Sequence, residues 1–360
     1  MNFNTSISIS VQKCIEQAIL DTPINDQDFN TLALGVFAYQ YQENRAYQKF
    51  CHALGQNPDL INHWHDIPAL PTDAFKMDSY PLTTFPVEEA SKTFRTSGTT
   101  TETRGLHHFT STKLYDQSII TAWNELNLPD ASRSLFLIPH PDQSPQSSLS
   151  HMMGVISKQL AEQSTWLIDE SGSISLNSLI STIKNQQANQ SIALFGTALS
   201  FLHLFDSIES PIKLPEGSWA METGGYKGTN RQLSKDELYR QFGTKLGLPS
   251  DSIINEYSMT ELSSQFYSHG LDQPHKGPSW TRTRIIDPIT NTDAKLGKLG
   301  HLVIYDLANV DSVMAIRTQD LAIQSQTSLE QTGRHFNLIG RDPSALPRGC
   351  SRSSDESLSS

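Results

Sequence analysis

Between residues 94 and 260 the sequence alternates short apolar runs with stretches whose apolar residues recur at helical spacing. The apolar runs lie at residues 134–138, 165–168, 192–195, 219–221 and 253–254. Each run is too short for a buried helix, and helical patterns such as Leu176, Leu179, Ile180 and Ile183 separate them. This alternation predicts β-α-β units, and therefore a mostly parallel, buried sheet flanked by helices.

The segments on either side of this region have different patterns. The first ~60 residues are predicted to be helical, with Cys14 and Cys51 as small core residues on apolar helix faces. From residue 282 to residue 323, helical spacing gives way to strand-like pieces separated by Gly and Asp-Pro turns, which indicates a small antiparallel subdomain. We therefore predict an α/β core with a helical N-terminus over residues 1–280, a β-rich subdomain over 281–345 and a flexible, cysteine-bearing tail over 346–360.

The charge balance excludes several classes of partner. Lys and Arg number 27 and Asp and Glu number 38, so the formal net charge is −11. Such a balance argues against non-specific binding to nucleic acid or to an anionic membrane surface. No apolar run approaches the ~20 residues of a membrane span, and three scattered cysteines do not form a disulfide framework. We expect a cytoplasmic protein without a membrane span or a nucleic-acid partner.

The densest local signal is a hydroxyl-rich loop over residues 96–105. Glycine lets successive backbone N–H groups converge on a phosphate, hydroxyls add donors, and Arg104 supplies a cation. The loop departs from the G-x-x-x-x-G-K-[ST] pattern, so it is not the common nucleoside-triphosphatase loop. By composition alone, a flexible Ser/Thr-rich loop explains it equally well.

This loop and several other segments resemble those of the LuxE acyl-protein synthetase family and its phenylacetate–CoA ligase relatives, and they occur in the family's order. The supporting segments are residues 67–76, 96–105, 222–228, 256–265, 306–309, 317–322 and 340–342. The resemblance implies an adenylate-forming fold, that is, a large α/β domain with mostly parallel sheets and a small β-rich subdomain. Because the sequence stops soon after Asp342, we expect the further C-terminal domain that carries a catalytic lysine in most such ligases to be absent.

The resemblance also implies a reaction and a set of site residues. ATP and a carboxylic acid would give an acyl-adenylate and pyrophosphate, with ATP and Mg²⁺ as cofactors. The implied phosphate cradle is Thr96, Ser97, Gly98, Thr99, Thr100 and Thr101, with Arg104 in the place of the usual lysine. Gly224 and Gly225 would approach the adenine, Tyr257 would stack on it, Thr260 would contact phosphate and Glu261 would hold Mg²⁺. Asp320 would contact ribose, and Arg341 would contact ribose or phosphate. Lys227 is the cation nominated to replace the missing lysine. A simple turn, a core tyrosine and a surface arginine are the plainer explanations for Gly224, Tyr257 and Arg341.

The last cysteine, Cys350, lies between Arg348 and Arg352, which favour its thiolate form. Members of the resembled family carry the acyl group on a cysteine near the C-terminus, so the resemblance implies that Cys350 forms a thioester and presents a fatty acyl group to a reductase partner. An exposed cysteine without a role is the alternative. Two other functions stay open: a compact acyl-CoA or aryl-CoA ligase, and a non-catalytic module that binds a nucleotide or an acyl-adenylate.

Overall fold

The structure is a computed structural model of the 360-residue chain. It describes residues 3–77, 79–96, 104–159, 163–169, 171–185, 190–224, 233–324 and 333–342, with side chains from residue 11 onward. The described helices are α1 (Phe3–Leu20), α2 (Asp26–Glu43), α3 (Arg45–Ala53), α4 (Lys113–Glu125), α5 (Ser148–Gln159), α6 (Leu176–Lys184), α7 (Ala198–Ser207) and α8 (Lys235–Gln241). The described strands are β1 (Leu70–Pro71), β2 (Lys92–Arg95), β3 (Leu106–Phe109), β4 (Arg133–Leu137), β5 (Gln163–Trp166), β6 (Ile192–Thr197), β7 (Trp219–Thr223), β8 (Ile253–Tyr257), β9 (Phe266–His269), β10 (His275–Lys276), β11 (Thr281–Ile286), β12 (Leu299–Asp306), β13 (Ala315–Ile323) and β14 (His335–Arg341).

These strands form one large sheet and a separate hairpin. The large sheet has the order β11-β12-β13-β14-β10-β9-β8-β7-β6-β4-β5, with β1 beside β13, and β2 pairs only with β3. Strands β4 to β8 are parallel, as the apolar runs predict. Strands β8 to β14 continue the sheet in antiparallel pairs, and β14 joins β13 to β10. The predicted α/β architecture with an antiparallel β-rich region is confirmed, whereas the domain boundaries at 280 and 345 stay predictions.

Helices cover both faces of the parallel strands. Residues Leu135, Leu194 and Phe242 belong to a core between the sheet and helices α6, α7 and α8. Phe136 and Phe195 point to the opposite face, where they pack with residues of α4 and α5. The alternation along β4 and β6 explains this, because neighbouring residues of a strand point to opposite faces. A third core joins α1, α2 and α3 to strands β11, β12 and β13.

Helix α8 forms where its sequence predicts it. Ser234 followed three residues later by Glu237 is a capping-box pattern that predicts a helix start, and the Ser234 side chain accepts a hydrogen bond from the Glu237 N–H at 3.2 Å. Leu238, Phe242 and Leu246 are buried, and the last turn widens into a π-turn over Phe242–Leu246. Gly247 ends it with φ of +70°, a conformation that a residue with a Cβ seldom adopts.

The prediction that Cys14 lies in the core is wrong. Cys14 is exposed, because the buried face of α1 is carried by Ile15 and Ile19, whereas Cys51 is buried as predicted. Thr112 stands at the N-cap position of α4 but its side chain does not cap the helix. It donates to the Asp116 carboxylate at 3.3 Å instead. Among the described residues, no helix combines the length and the apolar character that crossing a bilayer requires.

Candidate active site

The candidate site lies where the parallel strands β7 and β8 end. Thr223 and Glu256 are register partners at these carboxyl ends, which is the edge where α/β sheets bind ligands. Gly224 follows β7 directly with φ of +72° and is exposed, so the backbone is free of a Cβ at the point where the chain leaves the sheet. The segment from Tyr257 to Glu261 follows β8.

Tyr257 and Asp320 meet although 63 residues separate them along the chain. The Tyr257 hydroxyl donates to Asp320 Oδ2 at 2.7 Å, and both side chains are buried. Asp320 is the register partner of Arg341 across β13 and β14. The Tyr257 ring makes an edge-to-face contact with Phe336 at 5.3 Å between centroids. The antiparallel region of the sheet thus brings Tyr257, Asp320 and Arg341 together.

Thr260 and Glu261 are held through their backbone carbonyls. His107 Nδ1 lies 2.7 Å from the Thr260 carbonyl oxygen, and since a carbonyl only accepts, the Nδ1 position carries the proton. Asn309 Nδ2 donates to the Glu261 carbonyl at 2.8 Å. The Thr260 hydroxyl lies 3.3 Å from that of Ser148, the first residue of α5. Burial lowers the pKa of His107 to about 4, so the ring is neutral at pH 7.

The hairpin β2–β3 closes the base of the hydroxyl-rich loop. The Thr96 N–H donates to the Gly105 carbonyl at 2.9 Å, and the Gly105 N–H donates to the Thr96 hydroxyl at 2.7 Å. A Cβ at Gly105 would lie 3.0 Å from Thr96 Cγ2 and 3.3 Å from Phe75 Cβ, which is tighter than packed side chains normally allow. Arg104 precedes this closure and is half-buried.

Several predicted site residues lie outside the described residues. These are Ser97, Gly98, Thr99, Thr100, Thr101, Gly225, Lys227 and Cys350. The described ones are Thr96, Arg104, Gly224, Tyr257, Thr260, Glu261, Asp320 and Arg341. Within this second group the structure brings Tyr257 to Asp320 directly, and links Thr260 through His107 to the hairpin that begins the loop. Their roles in binding stay predictions.

Two buried glutamates at the strand ends were missed by the sequence patterns. The Thr223 hydroxyl donates to Glu256, and burial raises the pKa of Glu256 to about 7. On the other face of the sheet, Glu222 accepts from Asn255 Nδ2 at 2.6 Å and from the Tyr239 hydroxyl at 3.1 Å. Burial raises the pKa of Glu222 to about 7 as well. The signal was a carboxylate just after each apolar run, since Glu222 follows residues 219–221 and Glu256 follows residues 253–254.

His275 extends the Glu222 network toward the aromatic cluster. Its Nε2 donates to Asn255 Oδ1 at 2.7 Å, and its ring stacks on Phe336 at 5.2 Å. Burial lowers the pKa of His275 to about 3, so it stays neutral. Hydrogen bonds therefore connect Glu222 on β7, Asn255 on β8 and His275 on β10. The centroid of the His275 ring lies 6.0 Å from that of Tyr257.

Glu261 offers one carboxylate to a magnesium ion. Among the described residues, no group of three or more His, Cys, Asp or Glu side chains is placed to hold a metal alone. Nucleotide-bound Mg²⁺ generally needs only one or two protein carboxylates, because phosphates and water supply the other oxygens. The single buried carboxylate of Glu261, 5% exposed, is consistent with that kind of site.

A pocket of about 940 Å³ lies at the opposite edge of the sheet. Its lining includes Lys213, which precedes β7, Trp219, the first residue of β7, and Leu248 and Ser252, which precede β8. It therefore opens at the amino ends of the parallel strands, away from Tyr257 and Thr260. Because ligands of such sheets bind at the carboxyl ends, this pocket is not the candidate site.

The chain is similar in sequence to one protein family and in fold to solved ligases. The model of a family described as acyl-protein synthetase, LuxE, matches residues 19–359. The long-chain-fatty-acid–luciferin-component ligase of Vibrio harveyi is 21% identical over 343 residues, covering 91% of this chain and 87% of that protein. A 2-hydroxyisobutyryl-CoA ligase, solved in an open conformation with 2-HIB-AMP and CoA, superposes with a TM-score of 0.62 at 14% identity, covering 88% of this chain and 70% of that one. In its postadenylation state with 2-HIB-AMP, the same ligase superposes at 0.61 and 15% identity, covering 87% and 67%. These structural likenesses show a shared fold.

Proposed function

This chain belongs to the LuxE acyl-protein synthetase family, and we propose that it activates a fatty acid with ATP, takes the acyl group onto Cys350 as a thioester, and delivers it to a reductase. It is a ligase with the adenylate-forming fold. We propose the identity of the acid, of the thiol and of the acceptor, and the residues that serve each step. A fatty acid is favoured because the relative from Vibrio harveyi is named for a long-chain fatty acid.

The hydrogen bond between Tyr257 and Asp320 is the observation that carries the proposal. It unites a segment after β8 with a strand 63 residues later, and it lies beside the braced Thr260–Glu261 segment. An ATP site needs an aromatic surface, a carboxylate for the ribose diol and donors for phosphate close together. Tyr257, Asp320 and Thr260 supply these three functions.

In the first step, a carboxylate oxygen of the acid attacks the α-phosphorus, and the bond to pyrophosphate breaks. Thr96, Ser97, Gly98, Thr99, Thr100 and Thr101 would hold the β- and γ-phosphates, and Arg104 and Lys227 would offset the charge that moves onto the leaving pyrophosphate. Glu261 would hold Mg²⁺, which neutralises phosphate charge when bound. Gly224 and Gly225 would let the backbone approach the adenine, and Arg341 would contact the ribose or a phosphate.

Acid-dependent exchange of pyrophosphate into ATP tests this step. The purified full chain, given MgATP, labelled pyrophosphate and fatty acids of increasing length, should return label to ATP only when an acid is present. A parallel series with short aromatic acids distinguishes a fatty-acid pocket from an aryl one. Exchange without any acid, or none with every acid of both series, would contradict the proposed activation.

In the second step, the Cys350 thiolate attacks the acyl carbonyl carbon, a C–S bond forms, and AMP leaves with the carboxylate oxygen. With radiolabelled fatty acid and ATP, we expect covalent label on the wild-type chain and none on Cys350→Ser. Cys14→Ser is the matched control, because Cys14 is exposed on α1 and lies outside the candidate site. Pyrophosphate exchange should persist in both variants. Label retained on Cys350→Ser would eliminate Cys350 as the carrier.

Hand-over to a reductase completes the proposal. Hydride from NADPH would add to the thioester carbonyl carbon, the thiolate would leave, and a fatty aldehyde would be released. Adding a fatty acyl reductase and NADPH to the labelled chain should move the label from protein to aldehyde. Free CoA separates the alternative: rapid formation of acyl-CoA with no protein label would identify a compact acyl-CoA ligase instead.

A further inference from the structure

The turn over residues 260–264 is held by side chains from three other elements. The carbonyl of Thr260 accepts from His107 on β3, that of Glu261 accepts from Asn309 after β12, and that of Ser263 accepts from Ser118 on α4. The Asp306 carboxylate accepts from the Ser263 N–H at 2.9 Å. A turn with so many backbone groups bonded to side chains has one orientation, and the side chains of Thr260 and Glu261 are oriented with it.

His107 differs from the other three because it belongs to the hairpin that carries the hydroxyl-rich loop. It stands two residues after Gly105, whose N–H bonds the Thr96 hydroxyl at the base of that loop. Its ring is 1% exposed and packs between Phe109 at 4.1 Å and Phe75 at 5.8 Å. The ring is therefore enclosed, and its Nδ1 is held toward the Thr260 carbonyl.

We propose that His107 is a positioning residue that sets the distance between the end of the β2–β3 hairpin, at Thr96 and Gly105, and the Thr260–Glu261 segment, so that Thr96 and Thr260 both reach one Mg-nucleotide. This inference rests on the proposed function, since it assigns phosphate contacts to the loop and Mg²⁺ to Glu261. The described hydrogen bond from His107 Nδ1 to the Thr260 carbonyl joins the hairpin to the turn. Without it, the hairpin and the turn each keep their internal contacts, but this link between them is lost. Binding of the Mg-nucleotide then weakens, while binding of the acid is unaffected.

Asparagine and glutamine replacements of His107 distinguish the place of the donor nitrogen from the mere presence of a polar side chain. In His107→Asn the amide nitrogen takes the place of Nδ1, whereas in His107→Gln the amide nitrogen takes the place of Nε2 and misses the Thr260 carbonyl. We expect the KM for MgATP and the Mg²⁺ concentration for half-maximal exchange to rise about tenfold in His107→Gln, which corresponds to the loss of one buried hydrogen bond. Both should stay within about twofold of wild type in His107→Asn. The KM for the acid should change in neither.

His108 supplies the matched control. Its Nδ1 bonds the Thr93 hydroxyl at 2.9 Å within the same hairpin, so His108→Gln disturbs β2–β3 without touching Thr260. We expect it to leave the KM for MgATP near the wild-type value. Equal KM values for His107→Asn and His107→Gln, whether both normal or both raised, would overturn the positioning role. Absence of exchange in the wild-type chain would instead refute the proposed function.

Discussion

Asp320 is held by a contact from a distant part of the chain. The Tyr257 hydroxyl donates to Asp320 Oδ2 at 2.7 Å in a buried setting, and the Asp320 N–H donates to the Thr318 hydroxyl at 3.0 Å. These bonds fix the carboxylate at the edge where β13 meets β14. A carboxylate that is already oriented loses little freedom when it binds a ribose diol, which favours binding.

Tyr257→Phe tests this contact, because it removes the hydroxyl and keeps the ring. We expect the KM for ATP to rise by up to about tenfold, since one hydrogen bond to a charged acceptor orients Asp320, while the KM for the acid stays unchanged. Initial-rate kinetics of pyrophosphate exchange give both constants. Tyr239→Phe removes a comparable buried bond, to Glu222, and should leave the KM for ATP unaltered. Similar rises in both variants would indicate general destabilisation instead.

Glu256 makes stability depend on pH in a direction that burial determines. Its pKa is raised from 4.5 to about 7, so between these values the folded chain keeps a proton that the unfolded chain releases. Its contribution to stability is therefore complete below about pH 4.5 and is lost as the pH rises to about 7.

Glu256→Gln stays neutral and removes this dependence. As the pH rises from 4.5 to 8, the wild type should lose stability that the variant keeps. The free energy of unfolding of the variant minus that of wild type should therefore increase, by at most about 3 kcal/mol. Urea unfolding at a series of pH values measures it. A constant difference across the series would show that the carboxyl is not protonated in the folded chain.

The resemblance to the family identified Tyr257, Thr260, Glu261 and Asp320 as site candidates but not the groups that hold them. His107, Asn309 and Asp306 act through contacts with segments 42 to 153 residues away. Local spacing carries no information about such contacts, since they depend on which strands become neighbours in the sheet. A histidine beside an apolar strand is also common in cores, so His107 had no distinctive signal.

At the scale of elements, the hairpin β2–β3 is the unit that positions the loop. Among the described strands, β2 and β3 pair only with each other. The hairpin is anchored by the hydrogen bond from the Arg95 N–H to the Gln146 carbonyl and by the bond from His107 to the Thr260 carbonyl. The close approach of Thr96, Gly105 and Phe75 at its open end requires a residue without a Cβ.

Gly105→Ala tests this requirement. The added Cβ would meet Thr96 at 3.0 Å, so the two limbs of the loop must move apart by a few tenths of an ångström. We expect the KM for MgATP to rise several-fold, about threefold or more, because the phosphate donors shift together. Gly35→Ala, in α2, is the control: nothing lies within 4 Å of its Cβ, and alanine favours a helix, so stability should hold or increase slightly. An unchanged KM in Gly105→Ala would contradict the role of this closure.

Helices and strands were predicted correctly where the spacing of apolar residues was regular. Helix α6 and strands β4, β6, β7 and β8 lie where the apolar periods predict them. Helix α5 was missed because residues 144–150 are dominated by Ser, Gln and Pro, which favour loops. Strand β14 was missed because its pattern is short and irregular, and it becomes a strand through its pairing with β13 and β10.

At the scale of the whole molecule, the sheet connects the parts of the candidate site. Residues 223–224 and 257–261 lie at the carboxyl ends of the parallel strands β7 and β8. The antiparallel strands bring β13 and β14 to the same place, where Asp320 accepts from Tyr257 and pairs with Arg341 across the two strands. The overall fold could be predicted from the ordered segments that resemble the family. The path by which β14 bridges the two regions could not, because it depends on pairing across 60 residues between β10 and β14.

Transfer of heavy oxygen from the acid to AMP tests most directly whether these parts form an acyl-adenylate site. The full chain is incubated with ATP and a fatty acid whose carboxylate oxygens carry the heavy isotope, and the products are examined by mass spectrometry. The attacking oxygen stays on the phosphorus when the thiol displaces AMP, so the account predicts one heavy oxygen in AMP and none in pyrophosphate. Unlabelled AMP, or ADP with labelled inorganic phosphate, would contradict it.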